Sequence, residues 1–545
     1  MKTVYNKIVC LAIAALGLLC SCEDFLDALP DNRTQLDTPQ KIKELMMTCY
    51  PLANYAMVCE LSADNFIDNR APNAAGLFYN VTAYDRMDND LFSWTDVRGY
   101  DFETDSPYLI WEQYYQTIAA ANSVLEAIEK LEKEGKLTES MDAQKGEALI
   151  LRAYSHFILV NIFSMPYKDA TASQSDIAIT YMKKPETVVG AKYERNTVAE
   201  VYQFIQEDIE AGLPLIDDSS YDVPAYHFTS KAAHAFAAKF YLYTRQYQKV
   251  VDHADYVLGQ NPTAVLRDWA TIYNNSEQQA YAYFSADSPA NLLLIPTQST
   301  QMRRFINKRY GSNGDALKGS YNDGGPTWSG RPAHLTGWIW TYGQNYGLFI
   351  PKVEEFFEFT DKVAGIGYCH IMRTEFTTDA ALLDRAEAKV FLNDFAGAVA
   401  DLQYWNQSHR NTTPLTLDVI NRFYTPGKKF FVFDFHTQEM SSGFTVSEEQ
   451  KPLVDCVLHF RRIERIFEGD RWFDIRRYGI ELEHTQGEEA KKHLLSHDDL
   501  RRAIQIPNDV LGAGLSPNPR PSNSSKPMVV PAPPQRVDWT VEEKR

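Results

Sequence analysis

Residues 231–243 read Lys-Ala-Ala-His-Ala-Phe-Ala-Ala-Lys-Phe-Tyr-Leu-Tyr, a stretch in which small side chains stand where two helices must approach closely. The helical pattern continues on both sides, so we predict one helix over Ser230–Thr244 and a second, amphipathic helix over Tyr247–Leu258. Only Arg245 and Gln246 separate the two, and such a short connection makes them antiparallel neighbours. The stretch therefore predicts a helical hairpin.

A second segment repeats this pattern later in the chain. Asp379–Leu392 again carries small residues along one helix, and Phe395–Trp405 forms a second amphipathic helix after a turn at Asn393 and Asp394. Helix pairs with small packing residues are typical of tetratricopeptide repeats, which are about 34 residues long. The two hairpins are degenerate and far apart, unlike a regular tandem array, but they favour a scaffold of stacked helix pairs.

Other segments also have helical signals. Asp37–Ala53 begins with Asp-Thr-Pro, an N-cap candidate followed by proline, and Pro107–Lys133 and Asp142–Phe163 carry apolar side chains at helical spacing. Thr197 and Glu200 form a capping box. We therefore predict a mostly α fold in which degenerate tetratricopeptide helix pairs form a superhelical scaffold. The predicted helical repeats lie near residues 37–54, 107–165, 197–259, 379–408 and 452–479.

Long loop-like stretches separate these helices. Residues 64–106 are rich in Asn, Asp, Tyr and Gly, and residues 274–347 are richer still. Loops of this length are uncommon unless they are functional. We therefore expect a single domain over residues 37–515 whose loop-rich region carries the ligand face, followed by a Pro/Ser-rich C-terminal segment at 516–545 that is extended or mobile.

The first 21 residues have the pattern of a secretory signal peptide. Lys2 and Lys7 give a basic start, and Ile8–Leu19 is almost wholly apolar but too short to span a bilayer. The following Leu19–Cys22 stretch reads Leu-Cys-Ser-Cys and resembles a bacterial lipobox. The alternative is an ordinary signal peptide with chance cysteines. The lipobox interpretation makes Cys22 the first mature residue, acylated at its thiol and new α-amine.

Composition excludes some classes of partner. The chain has 545 residues, 44% of them hydrophobic, and a net charge of −18 that becomes −20 without Lys2 and Lys7. Such an acidic chain argues against binding to nucleic acid. Aromatic residues make up 13% of the chain, and its 31 tyrosines suggest that some of them contact a ligand.

Metal and cofactor sites are not indicated. The mature cysteines after position 22 form no CxxC motif or Cys/His cluster, so we expect free thiols rather than zinc or disulfides. Asp85, Asp88 and Asp90 could place oxygens around calcium, but they lack the glycine and terminal glutamate of an EF-hand loop. We therefore predict neither a metal nor a cofactor. These cysteines are Cys49, Cys59, Cys369 and Cys456.

Several motifs, in order along the chain, resemble the SusD/RagB family of outer-membrane lipoproteins. The most specific is Arg461–Arg477, which reads Arg-Arg-Ile-Glu-Arg-Ile-Phe-Glu-Gly-Asp-Arg-Trp-Phe-Asp-Ile-Arg-Arg and matches the family pattern E-x-x-x-E-G-x-R-W-x-D-x-R. The resemblance extends from Cys22 to about Leu515. The other matching segments are Cys22–Asp27 with the following Asp37-Thr-Pro, Glu60–Asn65, Tyr114–Asn122, Gly146–Phe157, Met165–Tyr167 and Ile506–Asp509.

The resemblance implies a binding protein rather than an enzyme. Members of this family are similar to lids on a SusC-like TonB-dependent transporter, where they capture a glycan at the cell surface and hand it inward. Acids directly after the lipidated cysteine, here Glu23 and Asp24, resemble an export signal to the outer face of the outer membrane. A RagB-like member would carry peptide instead, so the cargo stays open between glycan and peptide.

The Arg461–Arg477 motif invites a catalytic interpretation, but an ion-pair network that joins the repeats explains it better, because arginine–carboxylate pairs are geometrically specific. Trp472 and Phe473 are then expected in the core. We name as structural signature residues Glu464, Glu468, Gly469, Arg471, Trp472, Asp474 and Arg476.

A sugar site needs an aromatic ring beside fixed polar groups, because one sugar face is apolar and its hydroxyls need donors and acceptors. Both loop regions offer this combination, and among their aromatics we prefer Trp94, Tyr310 and Trp328 over Trp338 and Trp340. The complete set of predicted ligand residues is Trp94, Asp88, Asn89, Arg98, Tyr310, Asn313, Trp328 and Arg331.

Two other functional classes stay open. The chain has no HExxH, GxSxG or P-loop motif, but a glycosidase carboxylate pair cannot be recognised from sequence alone. A pure interaction scaffold is the third class, since tetratricopeptide pairs also bind peptides. The location of the ligand contacts distinguishes the classes: aromatic loops for a glycan, a groove between helices for a peptide.

Overall fold

The protein is described by a computed structural model of residues 36–79, 81, 83–97, 103–186, 191–274, 278–305, 308–316, 322–335, 340–342, 347–427 and 431–520. The predicted signal peptide, Cys22, Arg98, Trp338 and most of the Pro/Ser-rich segment lie outside these residues. No helix within them is both long and apolar enough to cross a membrane.

Helices dominate the described chain, as predicted. Those of the first half are α1 (Pro39–Met46), α2 (Ala56–Ser62), α3 (Arg86–Phe92), α4 (Pro107–Lys133), α5 (Asp142–Phe163), α6 (Val198–Gly212), α7 (Ser230–Tyr243), α8 (Tyr247–Leu258), α9 (Trp269–Asn274) and α10 (Gln279–Tyr283). Those of the second half are α11 (Gln301–Phe305), α12 (Thr378–Phe391), α13 (Phe395–Ser408), α14 (Leu417–Phe423), α15 (Thr437–Met440), α16 (Lys451–Glu464), α17 (Asp470–Tyr478) and α18 (Asn508–Gly512).

The predicted helix pairs are confirmed. Helix α4 packs on α5, α7 on α8 and α12 on α13, and α12 also contacts α8 and α16. The small residues of α7 are buried, so its neighbours approach it closely on most sides. A close crossing also occurs between α5 and α6, where a Cβ on Gly146 would lie 2.9 Å from the carbonyl oxygen of Gly212. The scaffold is therefore a stack of tetratricopeptide-like hairpins.

One predicted helix is shorter than expected. The segment predicted as Asp37–Ala53 is helical only from Pro39 to Met46. Pro51 keeps the helix from extending to Ala53, because proline disfavours helical geometry at the residue before it.

Strands were not predicted, and the structure contains them in both loop regions and beyond. A three-stranded antiparallel sheet has the order β2-β7-β6, and three two-stranded sheets pair β1 with β3, β4 with β5, and β8 with β9. The strands are β1 (Ile67–Asp68), β2 (Asn291–Gln298), β3 (Tyr310–Gly311), β4 (Trp340–Tyr342), β5 (Gly347–Phe349), β6 (Glu355–Asp361), β7 (Ile366–Thr377), β8 (Leu482–Gln486) and β9 (Lys491–Leu495).

The signature segment of α16 and α17 lies in a buried network of charges. Arg461 pairs with Glu387 at 2.7 Å and with Asp474 at 3.2 Å, and Trp472 and Phe473 are in the core. Arg471 pairs with Asp64 at 2.8 Å, which connects α17 to the segment after α2. Burial alone would raise the pKa of Asp64, but Arg462 and Arg471 hold it well below its usual range. The motif therefore joins distant segments of the chain.

The other signature residues have similar partners. Trp405 and His409 both contact the Glu464 carboxylate, at 3.0 and 2.7 Å. Glu468 accepts a hydrogen bond from Tyr283 at 3.0 Å. Arg476 donates to a backbone carbonyl, that of Ser164. All of these contacts are made within the protein, as an ion-pair network that joins segments of the chain requires.

Gly469 is required by its backbone conformation and by its neighbours. Its φ of 91° is in the left-handed region, and a Cβ there would lie 3.0 Å from the Cα of Ala56. Its N–H donates to Glu60 at 2.9 Å. The glycine thus lets α17 begin directly against α2.

Candidate ligand-binding face

The buried carboxylate of Asp68, at the end of β1, joins three segments. It accepts hydrogen bonds from Nε and Nη2 of Arg309 at 2.9 and 2.6 Å. It also accepts from the backbone N–H of Arg70 at 2.9 Å and of Gly487 at 2.8 Å. Asp68 therefore holds the loop after β1, strand β3 and the turn between β8 and β9 at one place.

Backbone hydrogen bonds complete this assembly. Arg309 lies between two segments of the first loop region: its N–H donates to Ala83 O at 2.8 Å, and its carbonyl accepts from Asn69 N at 2.7 Å. The side chain of Asn313 donates to Oδ1 of Asn69 at 2.8 Å. The two long loop regions predicted to carry the ligand face thus lie side by side.

Tyr84 is the exposed aromatic residue of this face. Its side chain is 46% exposed, and its ring meets Tyr310 edge-on with centroids 6.3 Å apart. The guanidinium carbon of Arg309 lies 5.3 Å from the centroid of the Tyr84 ring, within the range of cation–π contacts. The ring is therefore held in place by its neighbours while part of it faces solvent.

A compact loop at residues 70–79 extends the face. Oδ1 of Asn73 accepts hydrogen bonds from the N–H groups of Ala75 and Leu77, both at 3.0 Å, and the N–H of Tyr79 donates back to Asn69 O at 2.8 Å. The returning arm of this closed loop presents two exposed apolar side chains, Leu77 at 67% and Phe78 at 45%.

Charged side chains lie in the same segments of the chain. Arg70 pairs with Glu488 of the β8–β9 turn, and Lys308 lies 3.8 Å from Asp85. Pairs of this kind, at solvent-exposed positions, contribute only about 0–1 kcal/mol. Their donors and acceptors can therefore exchange partners for ligand hydroxyls at little cost. We call the surface formed by Tyr84, Phe78, Arg309, Arg70 and Lys308 the Tyr84 face.

The predicted ligand residues Tyr310, Asn89 and Asn313 lie beneath this face. Tyr310 is fully buried, and its hydroxyl donates to Oδ1 of Asn89 at 2.8 Å. Nε2 of Gln486 donates to the same two atoms, at 2.9 Å to Tyr310 and 3.1 Å to Asn89. Oδ1 of Asn313 accepts from Asp315 N at 2.8 Å. Tyr310 and Asn313 therefore support the face from the interior, whereas Asn89 is half-buried.

Asp88 is also internal. It is buried against Arg304, with which it forms an ion pair. Burial raises the pKa of the Asp88 carboxyl to about 6 despite the positive charge of Arg304. The side chain is therefore paired with Arg304, and the proposed site does not include Asp88.

Trp94 lies in the core. Its indole N–H donates to Ser62 O at 3.0 Å, and its ring stacks on His484 with centroids 4.2 Å apart. Only 6% of the residue is exposed. Trp94 was predicted to be a ligand platform, but its ring is not exposed. It anchors its loop to strand β8 instead.

The two remaining predicted residues lie along the second loop region. Trp328 packs against α16, with its ring 5.6 Å from Phe460 and close to Gly325, where a Cβ would approach it to 2.2 Å. Arg331 is exposed and donates to Asn322 Oδ1 at 3.0 Å. Asn322 donates in turn to Gly314 O at 3.4 Å, so Arg331 is linked to the Asn313 loop.

The sequence analysis missed Tyr84, Phe78, Arg309 and Asp68. The available signal was the pairing of tyrosine with acidic and amide residues within residues 64–106. We gave more weight to tryptophan, which is more often buried than exposed in a fold of this size.

A groove on the helical side is a separate concavity. It has a volume of about 590 Å³ and lies between the α7–α8 turn and the segment at residues 441–450. Its wall includes the parallel rings of Tyr247 and Phe391, 4.7 Å apart, and Arg245 over the ring of Phe444. The groove is thus lined by aromatic rings and an arginine side chain.

Comparison with known proteins finds similarity to SusD-like proteins. A model of SusD-like proteins described as "Starch-binding associating with outer membrane" matches residues 24–242. A SusD-like protein of Formosa agariphila is 24% identical over 294 residues, a match that covers 51% of this chain and 51% of that protein. The match thus spans about half the length of that relative.

Solved structures extend the likeness to most of the chain. A SusD superfamily protein from Bacteroides thetaiotaomicron VPI-5482 is 18% identical with a TM-score of 0.59, covering 89% of this chain and 100% of that one. A SusD-like carbohydrate binding protein from Bacteroides vulgatus ATCC 8482 is 14% identical with a TM-score of 0.54, covering 90% and 99%. The fold is that of the SusD superfamily. The family model, the Formosa agariphila relative and these structures all belong to SusD-like proteins, to which this chain is similar.

Proposed function

We propose that this chain is a non-catalytic cell-surface lipoprotein that binds a polysaccharide or oligosaccharide and delivers it to a SusC-like TonB-dependent transporter. The description of the matching family model, with starch binding and outer-membrane association, supports this proposal. The name of the Bacteroides vulgatus neighbour, a carbohydrate binding protein, points to the same class of ligand.

The observation that carries the proposal is the exposed ring of Tyr84 above Arg309. An apolar sugar face packs on an aromatic ring, and the surrounding hydroxyls need fixed donors and acceptors. The Tyr84 face supplies both, because Arg309 is fixed by Asp68 while Arg70 and Lys308 lie in exposed pairs.

Calorimetric titration of the chain starting at Glu23 against polysaccharides and oligopeptides tests the site. We expect heat with one glycan class, and a Tyr84→Ala variant should bind it about tenfold more weakly because the ring contact is lost. Tyr256→Ala is the matched control, since Tyr256 is 52% exposed on α8 of the scaffold. Equal binding by the wild type and Tyr84→Ala would exclude the face.

Peptide capture is the second candidate, and the groove beside Tyr247 and Phe391 favours it. Heat with oligopeptides and none with glycans, lost in Tyr247→Ala, would establish this alternative. A glycoside hydrolase would instead release new reducing ends from the bound glycan, so a reducing-sugar assay separates binding from hydrolysis.

The anchor and partner are tested separately. Cys22 is proposed as the acylated residue that keeps the protein on the outer membrane, facing the exterior. Replacing Cys22 by Ala should move the protein from the membrane fraction to the soluble fraction, and a variant that still pellets with the outer membrane would contradict the anchor. Co-purification of the wild type with a TonB-dependent transporter from the same cells tests the partner.

A further inference from the structure

Two histidines and two glutamates meet at the base of the β8–β9 hairpin. His436 directly precedes α15, Glu481 directly precedes β8, and His497 follows β9. Glu439 comes from α15 itself. The rings of His436 and His497 are nearly parallel, with centroids 4.4 Å apart and an interplanar angle of 16°. Three separate segments therefore bring nitrogen and carboxylate ligands to one spot.

The nitrogen Nδ1 of His497 is the central atom of this cluster. It is buried and has no hydrogen-bond partner among the described residues, although Oε1 of Glu481 lies 3.6 Å away. One ligand atom each from His436, Glu481 and His497 lie within 4.8 Å of one another. An imidazole nitrogen without a hydrogen-bond partner, close to a carboxylate and to a second imidazole, is a combination of groups that can hold a metal ion.

The other side of the His497 ring fits the same interpretation. Nε2 of His497 pairs with the Glu439 carboxylate. Histidines that bind metals usually donate their second ring N–H to a carboxylate or carbonyl, which fixes the tautomer and the ring orientation. A hydrogen bond from Nε2 to Glu439 leaves the lone pair on Nδ1, where it points toward Glu481.

Hydrogen bonds fix the backbone around the cluster. His436 N donates to Tyr478 O at 3.1 Å, and the buried Arg502 donates to Ile480 O at 2.7 Å and to Ser496 O at 2.8 Å. The site is therefore built on a charged side chain that is itself fully buried.

Gly479 permits the close approach of the two histidines. Its φ is 63°, and a Cβ there would lie 3.2 Å from Cβ of His436 and 3.4 Å from Cβ of His497. Any larger residue would push the two histidine-bearing segments apart. The backbone at Gly479 thus brings the two histidine side chains close to each other.

We propose that His436, Glu481 and His497 bind one divalent transition-metal ion of the zinc type, with Glu439 positioning His497. Imidazole and carboxylate ligands suit Zn²⁺, Ni²⁺ or Cu²⁺, whereas Ca²⁺ and Mg²⁺ take oxygen ligands. Three protein ligands leave at least one coordination position for water. Glu481 is 45% exposed at its side chain, so the ion has a path from solvent.

The position of the ion has a consequence for the Tyr84 face. Glu481 and His497 flank the two ends of the β8–β9 hairpin, whose turn donates Gly487 N–H to Asp68. A metal ion that bridges the two ends fixes the base of this hairpin.

The test is titration of the chelator-treated full mature chain with Zn²⁺ by calorimetry and with Co²⁺ by visible absorption. We expect one ion per chain and a Tm that rises with zinc concentration, because a ligand that binds only the folded state stabilises it. Glu481→Gln and the double variant His436→Gln/His497→Gln should lose at least tenfold in affinity. Glu439→Gln should lose about 10- to 100-fold, as positioning residues do.

His493→Gln and His234→Gln/His253→Gln are the controls, because these histidines lie outside the cluster and should leave the titration unchanged. Glu481→Gln replaces an exposed side chain, so it tests the site even if the double histidine variant fails to fold. The proposal is overturned if the wild type binds no Zn²⁺ at micromolar concentrations. It is also overturned if Glu481→Gln binds as the wild type does, or if the control pair removes the binding.

Discussion

Arg309 donates two hydrogen bonds to the carboxylate of Asp68, at 2.9 and 2.6 Å, across 241 positions of the chain. The Asp68 side chain is completely buried, whereas the Arg309 side chain keeps 14% of its surface exposed. The pair thus connects the interior of the fold to the Tyr84 face, and several measurable consequences follow from it and from its surroundings.

Removing Arg309 should destabilise the protein and weaken ligand binding together. In Arg309→Ala the buried Asp68 carboxylate loses its charged partner, and breaking a buried pair costs about 3–5 kcal/mol; we expect the lower end here because Arg309 is partly exposed. Urea denaturation followed by circular dichroism measures the loss. Arg331→Ala, at an exposed arginine, should change the free energy of unfolding by less than about 0.5 kcal/mol. Equal stability of the two variants would show that the Asp68 pair does not hold the loops.

Replacing Trp94 should affect stability and not the ligand contact itself. Trp94→Ala removes a buried indole, its hydrogen bond to Ser62 and its stack on His484, a loss of about 3–5 kcal/mol. Calorimetry on the folded variant at low temperature should give nearly the wild-type affinity. A large loss of affinity in a fully folded Trp94→Ala protein would instead show that the indole contacts the ligand.

Two glycines in the left-handed region should respond differently to alanine. Gly469→Ala combines backbone strain with a Cβ placed 3.0 Å from Ala56 Cα, so we expect a loss of more than about 2 kcal/mol. Gly76→Ala, at φ 75° with nothing within 4 Å of the added Cβ, should lose only the strain of about 1 kcal/mol. Thermal unfolding of both variants gives the comparison, and a similar shift in Tm would mean that the contact with α2 has relaxed.

Glu60 should make stability depend on pH in one direction. Burial raises the pKa of this carboxyl from 4.5 to about 7, although the Asn65 amide and the Gly469 N–H lower it. The folded state therefore binds the proton of Glu60 more tightly than the unfolded chain does. The contribution of this proton to the free energy of unfolding is complete below pH 4.5 and is lost as the pH rises to 7. The loss is about 3 kcal/mol at most.

The Glu60→Gln variant tests this dependence, because glutamine does not ionise. Its free energy of unfolding should fall less than that of the wild type between pH 4.5 and 7. Glu126→Gln, on the outer surface of α4, is the control and should follow the wild type. Parallel curves for the wild type and Glu60→Gln would mean that Glu60 stays ionised in the folded protein.

Local signals explain which elements could be predicted from sequence. The bounds of α4 and α5 match the predicted Pro107–Lys133 and Asp142–Phe163, and both hydrogen bonds of the Thr197 capping box are present. Apolar spacing and end signals lie within each of these segments, so no knowledge of distant contacts is needed.

The sheet and the site depend on contacts between distant residues. Strand β2 is almost continuously apolar and contains Pro296, which is tolerated because β2 lies at the edge of its sheet. Its pairing with β7 leaves no local trace in the sequence. The same is true of Asp68 and Arg309, whose meeting could not be inferred from either loop alone. The sequence therefore indicated the two regions of the face but not the residues that form it.

The 70–79 loop starts and finishes at the same residue, since Tyr79 N donates to Asn69 O while Asn69 N donates to Arg309 O. Within it, Asn73 N donates to Leu77 O at 2.8 Å, so the tip at residues 74–76 is closed by a hydrogen bond of its own. A tip of different length or composition can therefore be installed between Asn73 and Leu77 while the Asn69–Tyr79 hydrogen bond and the contacts of Arg70 are kept. Selectivity for a new cargo could then be engineered by exchanging this one short insert.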